Sequence, residues 1–299
     1  MSTAVHRLSS WFCCSGWSST ERIDQFVAHI STKKFDIIAL QEVFATPIMP
    51  LLCQQRYLIS KMKAIGYKYI VQSRPLGVHR RIMLRKWTDS GLLILSRLPI
   101  ENQDDMFFSE PGLGLDAGAA KGVVYACVRT VERALHVFNC HLQATHTNDA
   151  NYASVRSHQL IKLREFMTQK TFGKRDPWVL TGDLNVDAIA VTNEHTGEFG
   201  FAFQAPRKQS EAYDFLLRQI TPRGDAIDLM YETSGRHVCT RPPRLSFPRS
   251  AAYAFRHKYP QCLDYIFFNP GSVGSIKRVK VSHGLQLQSL WRILTAAVS

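Results

Sequence analysis

The sequence predicts a layered α/β domain. Strand-like apolar runs and helix-like apolar stripes alternate from one end of the chain to the other, and no internal repeat or low-complexity tract interrupts them. Size points the same way. With 299 residues, 45% of them hydrophobic, the chain can bury a large core. No stretch resembles a long linker, so one domain spanning residues 1–299 is expected.

The elements follow in order. Ser18 and Glu21 have the spacing of a capping box, and Ile23, Phe26, Val27 and Ile30 recur at i, i+3, i+4 and i+7, which predicts an amphipathic helix. It leads directly into "FDIIALQEVF", where a short buried strand, Asp36 to Leu40, delivers Gln41 and Glu42 at its end. Further strands are predicted in "SGLLILS" (90–96), "GVVYACVRT" (122–130), "LHVFNCHLQ" (135–143), "WVLTGD" (178–183) and "CLDYIFF" (262–268). Leu160, Leu163, Phe166 and Met167 mark one apolar helix face, and Tyr213, Leu216, Leu217 and Ile220 mark another. Both stripes read as core.

Charge narrows the choice of partner. The chain has 37 Lys and Arg against 24 Asp and Glu, a formal net charge of +13. Its pI is near 9.6. That balance favours phosphate-rich partners, either nucleic acid or an anionic membrane face. Part of the charge is concentrated in "VHRRIMLRKW" (Arg80, Arg81, Arg85, Lys86) and in "TRPPRLSFPRSAAYAFRHK" (Arg241, Arg244, Arg249, Arg256, Lys258). The plain alternative for both is a solvated basic surface. The seven cysteines lack C-x-x-C spacing, so neither a zinc site nor a complete disulfide framework is indicated and buried thiols are expected. Adjacent Cys13 and Cys14 leave acylation open. No apolar run approaches the roughly 20 residues that cross a bilayer, and "WFCCSGW" is too short and broken for a secretory signal. A soluble cytoplasmic protein, peripheral on membranes, is the expectation.

The chemistry lies where polar residues meet strand ends. Glu42, His141 and Asp183 each follow an apolar run closely, as expected for side chains presented at one edge of a sheet sandwich. In "GDLN", Asp183 and Asn185 are two apart and share a side of an extended segment. An acid paired with an amide can hold and polarise a water. Each residue taken singly has a structural alternative: Glu42 as a helix cap, His141 as a satisfied core histidine, and Asp183 with Asn185 as an Asx turn.

Taken together, "LQEVF", "SGLLILSRLPI", "NCHLQA", "GDLNVD" and "LDYIFF" resemble, in order and spacing, the endonuclease/exonuclease/phosphatase superfamily of metal-dependent phosphoesterases. The resemblance extends over about residues 20–270. It implies a four-layer α/β sandwich, two packed mixed sheets flanked by helices, with the active site at one sheet edge and Mg²⁺ as cofactor. It also implies Glu42 as metal ligand, His141 as donor to the phosphoryl oxygens, and Asp183 with Asn185 as the pair that orients the nucleophile.

Within the superfamily, "HLQA" with "YASVRSHQLIKLREFM", "SGLLILSRLPI" and "LDAGAAKGVVYACV" are most similar to neutral sphingomyelinases, which cleave sphingomyelin to ceramide and phosphocholine. That branch carries an Asp several residues before a Lys-Gly in a loop beside the active site, and Asp116 and Lys121 fit the spacing. The loop's plain alternative is a flexible Gly/Ala connection with a chance ion pair. The partner implied is sphingomyelin at a membrane surface, with anionic lipid favoured by the charge.

Two family motifs depart from the pattern. The stretch "VHRLSSWFCCSGW", where the family's first strand ends in a metal-binding Asn, has no Asn. Ser10 stands nearest and is a poorer ligand than an amide carbonyl for a hard cation. Near the other end the family has Ser-Asp-His, whose His is the general base, whereas this chain has "VSHGLQ" with His283 and no preceding Asp. The first strand and the C-terminal motif are therefore expected to be incomplete. General acid–base catalysis contributes about 10²- to 10⁴-fold, so a lost base removes roughly 3 to 5 kcal/mol of transition-state stabilisation. Two alternatives stay open: a nuclease of the same superfamily, with nucleic acid as partner, and a catalytically impaired relative. Phe247, Tyr253, Phe255 and Tyr259 interleave the basic stretch as a nucleic-acid groove would require, and Pro-rich loops share that look.

Overall fold

The computed structural model describes residues 2–7, 19–45, 54–74, 86–189, 209–220, 226–241, 261–269, 276–283 and 292–298, apart from short interruptions, with side chains described between residues 20 and 269. In chain order the first half contains β1 (Ser2–Arg7), α1 (Ser19–Lys33), β2 (Ile37–Gln41), α2 (Gln54–Ala64), β3 (Tyr69–Gln72), β4 (Leu93–Ser96), β5 (Ile100–Phe107), β6 (Gly122–Arg129) and β7 (Ala134–His141). The second half contains α3 (Asn151–Thr171), β8 (Trp178–Asp183), α4 (Glu211–Ile220), β9 (Ile227–Asp228), α5 (Leu229–Ser234), β10 (Asp264–Asn269), β11 (Ile276–His283) and β12 (Arg292–Val298).

The strands form two sheets. One has the order β11-β12-β1-β2-β4-β3 and the other β5-β6-β7-β8-β10-β9. Both are mixed: β1 with β2 and β7 with β8 run parallel, and the other pairs are antiparallel.

Side-chain alternation turns these sheets into four layers. In β2, Ile37 and Ala39 face the second sheet, where they pack with Val124, Ala126, Val137, Val179 and Ile266. Ile38 and Leu40 face the other way, onto Ile23, Phe26, Val27 and Ile30 of α1 and Leu58 and Met62 of α2. A strand covered on both faces must be apolar at every position, which is why "IIAL" reads as a continuous run. The second sheet is covered likewise: Tyr125, Phe138, Cys140 and Leu180 meet Leu160, Leu163, Phe166 and Met167 of α3 and Tyr213 and Leu216 of α4. These helix stripes are core, as expected. Truncating one of them, such as the fully buried Leu163, to Ala costs about 2–5 kcal/mol.

Sequence and structure differ at the polar elements. β3 and β5 carry no continuous apolar run because each has exposed or half-exposed positions. β5 is an edge strand whose Asp104 and Asp105 bind Arg74, with Asp104 also paired to Lys170, and charges along an edge discourage pairing with another chain. β4 starts at Leu93 rather than residue 90, because Asp89 to Gly91 form a turn with Gly91 at φ 64°. Ser18 lies outside the described residues, as do Cys13, Cys14 and most of both basic stretches. Cys127, Cys140 and Cys262 are buried, Cys239 is half-buried, and none of the four is in a disulfide. Among the described residues no helix is long and apolar enough to cross a membrane.

Candidate active site

The site begins with a close approach between two strands. β7 and β8 pair in parallel with Cys140 opposite Gly182 and His141 opposite Asp183. Gly182 has φ 136°, and a Cβ there would overlap the Cys140 carbonyl oxygen and lie 2.9 Å from its carbon. Only glycine fits. The next residues emerge side by side, with His141 Nε2 3.8 Å from Asp183 Oδ2 and both side chains buried.

Glu42 arrives from the other sheet. It directly follows β2, is half-buried and has φ 62°. Among the described non-glycine residues it shares a positive φ only with Asn185 at 50°. Such conformations cost of order 1–3 kcal/mol each and persist only where the surroundings over-determine them. Part of that determination is a polar clasp between the sheets: Gln41 Nε2 donates to Asn139 Oδ1 at 2.6 Å, while Asn139 Nδ2 donates to the Leu40 and Leu93 carbonyls at 2.8 and 3.0 Å. The clasp sits one residue before Glu42 and two before His141. It sets the gap the cluster spans: ligand atoms of Glu42, His141 and Asp183 all lie within 4.8 Å of one another.

Two carboxylates and an imidazole converging at a sheet edge are a donor set for a divalent cation. The sequence reading gave metal binding to Glu42 alone; the geometry puts His141 and Asp183 within the same reach.

Asp116 and Lys121 complete the constellation. Lys121, buried at the start of the β6 approach, places Nζ 2.8 Å from His141 Nε2 and 3.2 Å from Asp116 Oδ1. Burial alone would raise the Asp116 carboxyl, but Lys121, His146, His141 and the Ala144 N–H together hold it well below the usual carboxylate range. Asp116 is therefore an anion at any physiological pH. Gln143 secures its loop: the side chain accepts from Leu113 N at 2.9 Å and donates to Leu113 O, Asp116 Oδ2 and Ala144 O at 3.1, 3.1 and 2.8 Å. Lys86, also buried, is lowered mainly by desolvation and feels both Asp116 and Lys121.

Asn185 follows the structural alternative and keeps its place in the site. Its N–H donates to Asp183 Oδ1 at 3.1 Å, an Asx turn, and its Nδ2 donates to the Leu142 carbonyl at 2.9 Å. The turn fixes where Asp183 points. Cys140 is a neighbour without nucleophilic character, because burial and then Asp183 push its thiol up. His283 ends β11 in register with Arg292, which pairs Arg7, which pairs Gln41; its side chain lies outside the described residues.

Asn139, Gln143 and Asp264 support the site without having been among its expected residues. Asn139 and Gln143 flank His141 at period two in "NCHLQ", a polar row set into an apolar run. Asp264 pairs in register with Asp183 and is buried beside it. Its only sequence signal is an acid at the head of "DYIFF".

Comparison with known proteins gives the chain's family and fold. Sphingomyelinase C of Bacillus cereus is 28% identical over 204 residues, covering 66% of this chain and 60% of that protein. A sphingomyelinase of Dictyostelium discoideum is 32% identical over 180 residues, covering 52% of this chain and 38% of that one. The chain thus spans less than two thirds of these relatives' length. The crystal structure of SmcL superposes with a TM-score of 0.68 at 17% identity, covering 99% of this chain and 98% of that one, which establishes the shared sandwich fold. Residues 12–287 match the endonuclease/exonuclease/phosphatase family, and the chain belongs to that family.

Proposed function

We propose that this protein is a Mg²⁺-dependent phosphodiesterase that hydrolyses sphingomyelin to ceramide and phosphocholine at a cytoplasmic membrane surface. The observation that carries the proposal is the convergence of Glu42, His141 and Asp183, from strand ends of both sheets, within 4.8 Å. Mg²⁺ typically binds through one or two carboxylates and keeps several waters, which suits Glu42 with Asp183 nearby and leaves the imidazole for another task. Bound there, it would supply Lewis-acid charge to the phosphoryl oxygens.

The chain's own residues supply the rest. Asp183, oriented by the Asn185 turn, would orient the attacking water and take its proton. A new water O–P bond forms as the P–O bond to ceramide breaks, and the proton taken from the water returns through solvent to the ceramide oxygen, which leaves as the alcohol. Lys121, whose Nζ lies 2.8 Å from His141 Nε2, brings a cation toward the non-bridging oxygens, where negative charge develops, and His141 adds an imidazole ring to the same side of the site. The ion pair of Lys121 with Asp116 supports the sphingomyelinase branch, since that spacing carried the resemblance. The +13 charge favours anionic lipid around the substrate.

A substrate panel tests this reading. Purified protein with Mg²⁺ is offered vesicles of sphingomyelin, vesicles of phosphatidylcholine, and single- and double-stranded DNA. Phosphocholine release from sphingomyelin with intact DNA is the expected result. Cut DNA with inert vesicles moves the assignment to a nuclease, and inactivity towards all by folded protein moves it to a catalytically impaired relative.

A further inference from the structure

We infer that Asp89 is a positioning residue for the Glu42 carboxylate, a role that rests on the metal site proposed above. Asp89 lies outside the cluster, in the turn before β4, and is buried at 3% exposure. Both of its oxygens are engaged. Oδ1 accepts from Ala45 N at 2.8 Å and Gly91 N at 3.2 Å, and Oδ2 accepts from Gln55 Nε2 and Ser73 Oγ, each at 3.3 Å.

These partners enclose the segment that follows Glu42. Val43 N donates to the Gly91 carbonyl at 2.9 Å, Gln55 Nε2 donates to the Val43 carbonyl at 2.7 Å, and Ala45 N ends on Asp89 itself. Gly91 allows the approach: with φ 64°, a Cβ there would lie 2.8 Å from the Phe44 ring and 3.0 Å from Val43 N. Residues 43–45 are thus gripped at three successive points by the Asp89 turn and by α2. Glu42, at φ 62°, is held on its other side by β2 and the Gln41–Asn139 clasp.

A residue in a left-handed conformation relaxes when one of its flanks is released. Released at Ala45, the Glu42 backbone is free to return to an extended conformation, and its carboxylate swings away from His141 and Asp183. The same turn reaches the other side of the site, since Thr88 N donates to the Gly118 carbonyl at 3.2 Å, in the loop bearing Asp116. Asp89 itself need not touch the metal or the substrate to govern where Glu42 stands.

The test measures Mg²⁺ affinity by calorimetry and thermal stability by melting, on the whole chain, for wild type, Glu42→Gln, Asp89→Ala, Asp89→Asn and the Glu42→Gln/Asp89→Ala double variant. Asp89→Ala is expected to weaken Mg²⁺ binding about 10- to 100-fold, the range for partners that orient a ligand. Asp89→Asn keeps one carbonyl oxygen for Ala45 and Gly91, so its loss is smaller, under about 10-fold. In the Glu42→Gln background, Asp89→Ala should add less than about 2-fold, because both changes disable one ligand. Unchanged affinity in Glu42→Gln overturns the metal reading. A weakened Glu42→Gln beside an Asp89→Ala variant of wild-type affinity and lowered melting temperature overturns the positioning role alone.

Discussion

Asn139→Ala would remove the clasp that holds the two halves of the site at a fixed distance. The substitution leaves Gln41 Nε2 without its acceptor and takes one hydrogen bond each from the Leu40 and Leu93 carbonyls, which face each other in the β2–β4 ladder. An orphaned buried donor costs about 1–3 kcal/mol, so a stability loss of at least about 1 kcal/mol is expected. For a chain of this size each kcal/mol lowers the melting temperature by roughly 2–4 °C, which makes a drop of at least about 2 °C the expectation. Urea unfolding supplies the free energy, and Mg²⁺ calorimetry on the folded variant reports the site. Both should suffer, because the clasp joins the strand that ends at Glu42 to the strand that ends at His141. A stability loss under about 1 kcal/mol with unchanged metal affinity would refute the reasoning, since it would mean the sheets hold their spacing without Asn139.

The remaining predictions concern single contacts. Gly182→Ala forces a Cβ into the Cys140 carbonyl at a φ of 136°. Backbone strain and overpacking of about 1–3 kcal/mol each should destabilise the fold and displace Asp183, and a wild-type melting curve would exclude it. The Asp116 carboxyl is held below its ordinary 3.8, first against burial and chiefly by Lys121, so its stabilising charge is fully present above that value and lost as pH falls below it. Between pH 5 and 3 the wild type should therefore lose stability more steeply than Asp116→Asn; parallel curves would show the ion pair to be idle. Lys121→Ala removes the cation 2.8 Å from His141 Nε2 and should lower lipid turnover by about 10²-fold, the effect of losing one charge-stabilising donor, with steady-state kinetics as the check.

Apolar pattern revealed the layers well and the polar supports poorly. β2, β6, β7 and β8 are covered on both faces, so most of their positions are apolar and the runs announced themselves. β3 and β5 are half-exposed and pair mainly through backbone, which leaves no compositional mark. At the site, Glu42, His141 and Asp183 stood out because each breaks an apolar run at its end. Gln143, Asp89 and Asn139 did not, because each takes part of its definition from a partner 16 or more positions away. Spacing suggested the Asp116–Lys121 pair, and only tertiary structure brings it onto His141. The left-handed backbone of Glu42 could not be anticipated, since glutamate has no local preference for it.

The most direct test of a metal-dependent hydrolytic site is the rate of phosphocholine release from sphingomyelin vesicles against free Mg²⁺, for wild type, Glu42→Gln and Asp183→Ala. Activity should saturate with Mg²⁺ and vanish with a chelator. Glu42→Gln should need more Mg²⁺ to reach its maximum, and Asp183→Ala should fall by at least about 10²-fold at saturation. Turnover that survives chelation, or an Asp183→Ala variant as fast as wild type, would contradict a site built on Glu42, His141 and Asp183.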